Sequence, residues 1–130
     1  MWGPKPKSVW GRGERAAARF MRKHGHRVIA RNLRLPHGEI DLLCVEKSTG
    51  TTVIVEVKAR SYSPTATRDI DPVASITARK RAKLLSLAKS IKQDARFAAR
   101  PIRIDVVSVR FEQGKRSPTI KHYSGCVTAS

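Results

Sequence analysis

Two apolar runs, EIDLLCVE (39–46) and TTVIVEVKA (51–59), are joined by only four residues, KSTG (47–50). Short runs rich in Val, Ile and Leu read as strands, and a polar four-residue link containing Gly reads as a hairpin connection. Both runs are apolar on both faces, so the sheet they form needs a covering layer on each side. Against that pattern stand Glu39, Asp41, Glu56 and Lys58, where a buried sheet favours valine. If the loop closes with Glu46 opposite Thr51, the antiparallel register sets Asp41 opposite Glu56. Lys58, two residues beyond Glu56, shares its face. The three side chains then gather at the open end of the hairpin, and a one-residue slip would send Asp41 to the other face.

The flanking segments supply the covering layers. A helix is predicted from near Gly13 through ERAAARFMRKH, with Ala17, Phe20, Met21 and His24 at helical spacing and Gly25 as its C-terminal cap. HRVIARNL (26–33) reads as a strand, LPHG (35–38) as a turn and SYSPTATRDIDP (61–72) as a loop. Ser75 to Ile91 reads as a second helix with Ile76, Lys80, Leu84, Leu87, Ala88 and Ile91 along one stripe. IRIDVVSVRF (102–111) is a strand, and an extra edge strand is expected around Thr119 to Tyr123. The order helix, strand, strand, strand, helix, strand gives an α/β fold, a mixed central sheet flanked by helices. Residues 1–12 form a basic N-terminal arm, 13–111 the α/β domain and 112–130 a C-terminal tail.

Charge narrows the partners. The 130 residues hold 27 Lys plus Arg against 10 Asp plus Glu, a net charge of +17. Such an excess opposes compaction and points to a phosphate backbone bound with counterion release. No run approaches the roughly 20 apolar residues of a membrane span, and no hydrophobic run follows the basic N-terminus as a secretory signal requires. Aromatic residues are only 5%, which argues against serial stacking of single-stranded bases. The two cysteines, Cys44 and Cys126, have no metal-ligand spacing; Cys44 reads as a core residue, and a cytoplasmic location is the simplest.

Two carboxylates held together repel each other, and a divalent cation compensates them. Mg²⁺ takes oxygen ligands and commonly only one or two carboxylates. Asp41 and Glu56 would supply them, with the backbone carbonyl of Val57 as a third ligand. Lys58 would orient or activate a water or stabilise charge on a phosphate under attack. These residue types suit phosphodiester hydrolysis at a basic surface. An ion-pair cluster that only closes the sheet is the structural alternative.

An acid on one strand followed by E-x-K on the next resembles the PD-(D/E)xK nucleases, which have a restriction-endonuclease-like core. More narrowly, the chain resembles the bacterial YraN family, described as endonuclease-like. The match lies in Gly13-Glu14 with Ala17, Gly25, Asn32 with Arg34, GEIDLL (38–43), VEVKAR (55–60), the Lys80 helix and RIDVVSV (103–109). The resemblance implies an αβββαβ core and Asp41, Glu56 and Lys58 as catalytic positions with Mg²⁺ or Mn²⁺. It also implies that Glu14 is the helix acid brought near the metal and that Lys80 is a polar residue projected from the following helix. Ile40 replaces the leading Pro of the motif, as in many members.

Each of these has a plainer alternative. Glu14 could be a first-turn acid that complements the helix dipole, and Lys80 could snorkel from its apolar stripe. Glu39 reads as solvated. Asp105 could pair with Arg103 or anchor a loop. The four histidines default to surface or capping roles, and Asn32 and Arg34 to a phosphate contact or to ordinary turn and surface positions. Arg60, beside the proposed site, is the better phosphate ligand. Arg79, Lys80, Arg81 and Lys83, in the run ARKRAK (78–83), are placed to track a backbone. The expectation is a metal-dependent nuclease acting on DNA rather than RNA, of branched or otherwise structured form, and as a homodimer if it follows the junction-cleaving relatives of the fold. The alternatives are a non-catalytic nucleic-acid-binding protein on the same fold and a small basic RNA-associated protein.

Overall fold

A central strand that is apolar on both faces needs a partner on each side and a helix on each face, and β3 (Thr52–Tyr62) has all four. The computed structural model describes residues 9–63 and 71–128. In chain order the elements are α1 (Val9–Lys23), β1 (His26–Leu35), β2 (Gly38–Glu46), β3, α2 (Ala78–Lys92), β4 (Ile102–Glu112) and β5 (Thr119–Val127). The five strands lie in the order β1-β2-β3-β4-β5. Only β3 and β4 are parallel, and the segment carrying α2 crosses between them as parallel pairing requires. The sheet is therefore mixed and the fold is α/β with the order αβββαβ, followed by β5.

The two faces bury different helices. Ala17, Ala18 and Met21 of α1 pack on Leu42, Cys44, Val53, Val55, Val57, Val107 and Val109. Leu84, Leu87, Ala88 and Ile91 of α2 pack on Leu43, Val45, Ile54, Ile104 and Val106. Cys44 is fully buried among them, as its place in an apolar run implied.

Several boundaries differ from the local reading. α1 begins at Val9, so residues 9–12 are helical; residues 1–8 of the expected arm lie outside the described residues. β3 continues past Ala59 to Tyr62 because β4 pairs with it residue for residue as far as Glu112. Of the expected loop, 64–70 lies outside the described residues. α2 begins at Ala78, three residues after Ser75, because the Thr77 hydroxyl accepts the Lys80 amide at 3.1 Å and caps the helix there. β5 runs four residues beyond Tyr123, to Val127. Among the described residues no helix is long and apolar enough to cross a membrane.

Asp105 settles both alternatives posed for it. Fully buried on the α1 face, it accepts Arg103 Nε at 3.0 Å and the Gly125 amide at 2.8 Å, with His122 Nε2 2.6 Å away. Burial pushes its carboxyl up, but these partners outweigh it and hold the group below its ordinary value. Arg103 also reaches Glu46 at 3.0 Å and His26 Nε2 at 3.2 Å. His26 is accordingly buried, not at the surface.

Gly13 sets how closely α1 approaches β3. A Cβ there would stand 2.3 Å from Ala59 Cβ and 3.5 Å from Ala59 Cα. Helix propensity favours Gly13→Ala by about 1 kcal/mol, and the clash opposes it by about 1–3 kcal/mol. Gly13→Ala is therefore expected to lower the urea midpoint. Combining it with Ala59→Gly should cost less than the sum of the two single changes; strict additivity in a double-mutant cycle would refute the contact.

Candidate functional site

The hairpin has the register in which Asp41 faces Glu56. Leu42 pairs with Val55, Leu43 with Ile54, Cys44 with Val53 and Val45 with Thr52, and the Glu46 amide donates to the Thr51 carbonyl at 2.8 Å. Beyond Leu42 and Val55 the recorded ladder stops. β2 stays with β1 as far as Gly38, while β3 stays with β4, so the two strands part as a fork.

Asp41 sits in that fork. Its Oδ2 accepts the Val57 amide at 2.9 Å, replacing the ladder bond lost there. The side-chain alternation of β2 breaks at this point. Leu42 packs toward α1 and Leu43 toward α2, yet Ile40 packs with the α2-side cluster. Opposite Asp41 in the β1 register is Asn32, whose φ of 51° is left-handed. The break turns the Asp41 carboxylate sideways, into the plane where the strands separate.

Three further groups converge on the fork. Glu56 is 6% exposed, with Lys58 Nζ 3.6 Å from its Oε2 and Lys80 Nζ, from the first turn of α2, 3.5 Å from its Oε1. Lys80 therefore reaches the acid pair. From the other face comes Glu14, 2% exposed. It stands in the second turn of α1, which has no acid in its first turn, so the dipole-complementing role does not hold. Asn32 Nδ2 donates to Glu14 Oε1 at 2.8 Å and Arg31 Nε lies 3.6 Å from the same oxygen. Glu14 Oε2 is buried with no hydrogen-bond partner among the described residues.

Electrostatics mark these acids off from Asp105. Burial first, and then the charge of Glu56, pushes the Asp41 carboxyl up to about 7, against partial relief from the Val57 amide and Lys80. Burial likewise raises Glu14, while Arg31 and Asn32 pull it back. Carboxylates disfavoured as anions, with oxygens left unpaired, are the donor set that a hard divalent cation takes. The Val57 carbonyl points to the same side of β3 as its amide, toward Asp41. Among the described residues no three His, Cys, Asp or Glu side chains converge as a metal-holding group, so the protein's share would be the two carboxylates and a carbonyl. That share fits Mg²⁺ or Mn²⁺, which complete their shells with water and phosphate oxygens.

The remaining candidates are dispersed. Arg60 lies two residues beyond Lys58 on the same face. Arg79 and Lys83 are exposed on α2; Arg81 is half-buried and close enough to act on Cys126 of β5. Arg34 lies away from the acids, 3.8 Å from Glu39. Asn32 holds Glu14, a role its left-handed backbone makes available and the sequence did not disclose. Arg31 was likewise missed: nothing in a surface-facing strand position signals that its guanidinium reaches a helix acid.

The described relatives agree with this layout. A model of the uncharacterised protein family UPF0102 matches residues 13–109. A UPF0102 protein of Renibacterium salmoninarum is 38% identical over 113 residues, covering 87% of this chain and 90% of its own. One from Paenarthrobacter aurescens is 35% identical over 125 residues, covering 93% and 95%. Among solved structures, a repair endonuclease from Pyrococcus abyssi aligns with a TM-score of 0.47 at 16% identity. That alignment covers 88% of this chain, which spans 42% of the endonuclease chain.

The raised Asp41 carboxyl predicts a pH dependence of stability. Folded Asp41 titrates near 7 against an ordinary 3.8, so the folded state holds the proton more tightly between those values. Stability contributed there is present at low pH and falls as pH rises toward 7. Asn keeps an acceptor for the Val57 amide without the charge. Asp41→Asn is therefore expected to be more stable than the parent at pH 8, by on the order of 1–3 kcal/mol, and to lose that advantage near pH 4. Urea unfolding across this range reads it, and equal stability at pH 8 would show that the carboxylate carries no such burden.

Proposed function

The chain belongs to the family UPF0102, and from that premise and the chemistry of the fork we propose that it is a metal-dependent nuclease hydrolysing phosphodiester bonds in DNA. The observation that carries the reading is the meeting of Asp41, Glu56 and Lys58 where β2 and β3 part, on a chain of net charge +17. Mg²⁺ or Mn²⁺, held by Asp41, Glu56 and the Val57 carbonyl with Glu14 behind them, would supply Lewis acidity at the phosphate and a more acidic water.

The chain's own groups do the rest. The Val57 amide fixes the Asp41 carboxylate at one oxygen and leaves the other to face Glu56. Lys58 is held near the reacting centre by Glu56 and places an ammonium where a phosphate gains charge. Lys80 anchors the opposite oxygen of Glu56 and so fixes the rotamer of the acid. Asn32 and Arg31 hold Glu14 in position from the α1 side. The basic residues of α2 offer contacts to phosphates rather than to base edges, which suits selection by shape, as on branched or structured DNA.

One observation favours a second reading, a non-catalytic nucleic-acid-binding protein. Lys58 and Lys80 together balance the charges of Asp41 and Glu56 without a cation. The two readings separate on linear, nicked and four-way-junction DNA incubated with and without Mn²⁺. The nuclease reading expects Mn²⁺-dependent cleavage that falls about 10²-fold or more in Glu56→Gln and Lys58→Met, with DNA affinity largely kept. Cleavage undiminished in Glu56→Gln would remove the proposed site. Tight, salt-sensitive binding with no cleavage of any substrate would establish the second reading.

A further inference from the structure

The face that carries Glu56 and Lys58 continues into a cleft that neither residue lines. Along β3 the same-face side chains run Glu56, Lys58, Arg60, Tyr62. Parallel pairing sets Arg60 beside Arg110 and Lys58 beside Ser108, and β5 sets Lys121 beside Ser108 and Thr119 beside Arg110. Arg60, Tyr62, Ser108, Arg110, Lys121 and Tyr123 line a cleft of about 330 Å³ at the carboxyl ends of the two parallel strands. Crevices in this position of an α/β sheet are where ligands commonly bind.

The lining is built for an anion. Arg60 Nε is buried and has no hydrogen-bond partner among the described residues. Arg110 is already committed, 3.1 Å from Glu112 and stacked 3.8 Å over the Tyr62 ring, so it acts as a fixed positive wall. Lys121 is exposed at the rim, and Ser108 and Tyr123 bring hydroxyls. The one acid in the lining, Asp71, is turned to local use: its Oδ1 accepts the Val73 amide at 2.9 Å. A buried guanidinium nitrogen with nothing to donate to is costly unless a ligand answers it.

Size selects the ligand. A cleft at the small end of ligand pockets admits a single nucleotide and excludes a base-paired duplex. Arg60 stands about 13 Å along the strand from Glu56, four residues at ~3.3 Å each. We propose that this cleft holds the phosphate of an unpaired nucleotide adjacent to the bond cleaved at the fork, so that the protein selects DNA carrying a single-stranded segment. The inference rests on the nuclease reading for which bond lies adjacent, while occupancy of the cleft can be read without catalysis.

The test is fluorescence anisotropy without divalent metal, using labelled oligo-dT, a duplex of equal length and a splayed fork. The parent, Arg60→Ala, Arg60→Met, Lys121→Ala and the Arg60→Met/Lys121→Ala double variant are compared. The parent is expected to bind oligo-dT and the fork roughly tenfold tighter than duplex. The double variant is expected to lose that preference, with a salt slope on oligo-dT shallower by about 1.4 for two phosphate contacts. Arg60→Met keeps the aliphatic stem, so it carries the result if Arg60→Ala fails to fold. Equal affinity for oligo-dT and duplex in the parent, or a preference unchanged in the double variant, overturns the proposal. Cleavage with Mn²⁺ is scored in parallel on the fork. Cleavage without the preference sinks the cleft and spares the nuclease; preference without cleavage sinks the nuclease and spares the cleft.

Discussion

The hydrogen bond from the Val57 amide to Asp41 is the interaction on which the site depends. Where β2 leaves β3, a buried strand loses its ladder partner and an amide would be orphaned. A backbone carbonyl normally answers such a group. Here a carboxylate does, and it is thereby fixed beside Glu56 in a setting that resists its charge. The same contact satisfies the backbone and creates the electrostatic tension. Removing the strain would mean removing the acid, which suits a functional position better than a structural one.

Both helices are brought to this point from opposite faces. α2 contributes Lys80 through its first turn, fixed by the Thr77 cap. α1 contributes Glu14, and can do so only because Gly13 lets the helix lie against Ala59 of β3. Asn32, in a left-handed conformation opposite Asp41, ties Glu14 to the sheet. A small basic protein thus concentrates three of its ten acids at one place. Asp105 is the contrast: it is equally buried but answered by a guanidinium, an imidazole and an amide, and its carboxyl lies below the ordinary value. Stabilised and strained carboxylates in one sheet separate a structural cluster from a candidate active site.

The surface charge acquires an organisation in the fold that composition alone does not give. Part of it follows α2, and part extends along β3 to Arg60, Arg110 and Lys121, in line with the acids. A strand delivers a side chain to one face every two residues, so Glu56, Lys58 and Arg60 form a graded row from negative to positive. A phosphate chain laid along that row would meet the cation-binding end and the guanidinium end in sequence.

The hairpin and its register were legible in the residues, because a four-residue link and period-two alternation are local and leave one pairing that buries both runs. Asp41 opposite Glu56, with Lys58 on the same face, followed from that alone. So did the order αβββαβ, since each element announces itself by its own periodicity. What local pattern could not place were meetings between distant segments. Lys80 on Glu56, Asn32 on Glu14, the reach of β3 to Tyr62 and the cleft between Arg60 and Lys121 are set by a crossover and a parallel register. These are decided by how helices and strands pack on one another, after the short-range preferences have been satisfied.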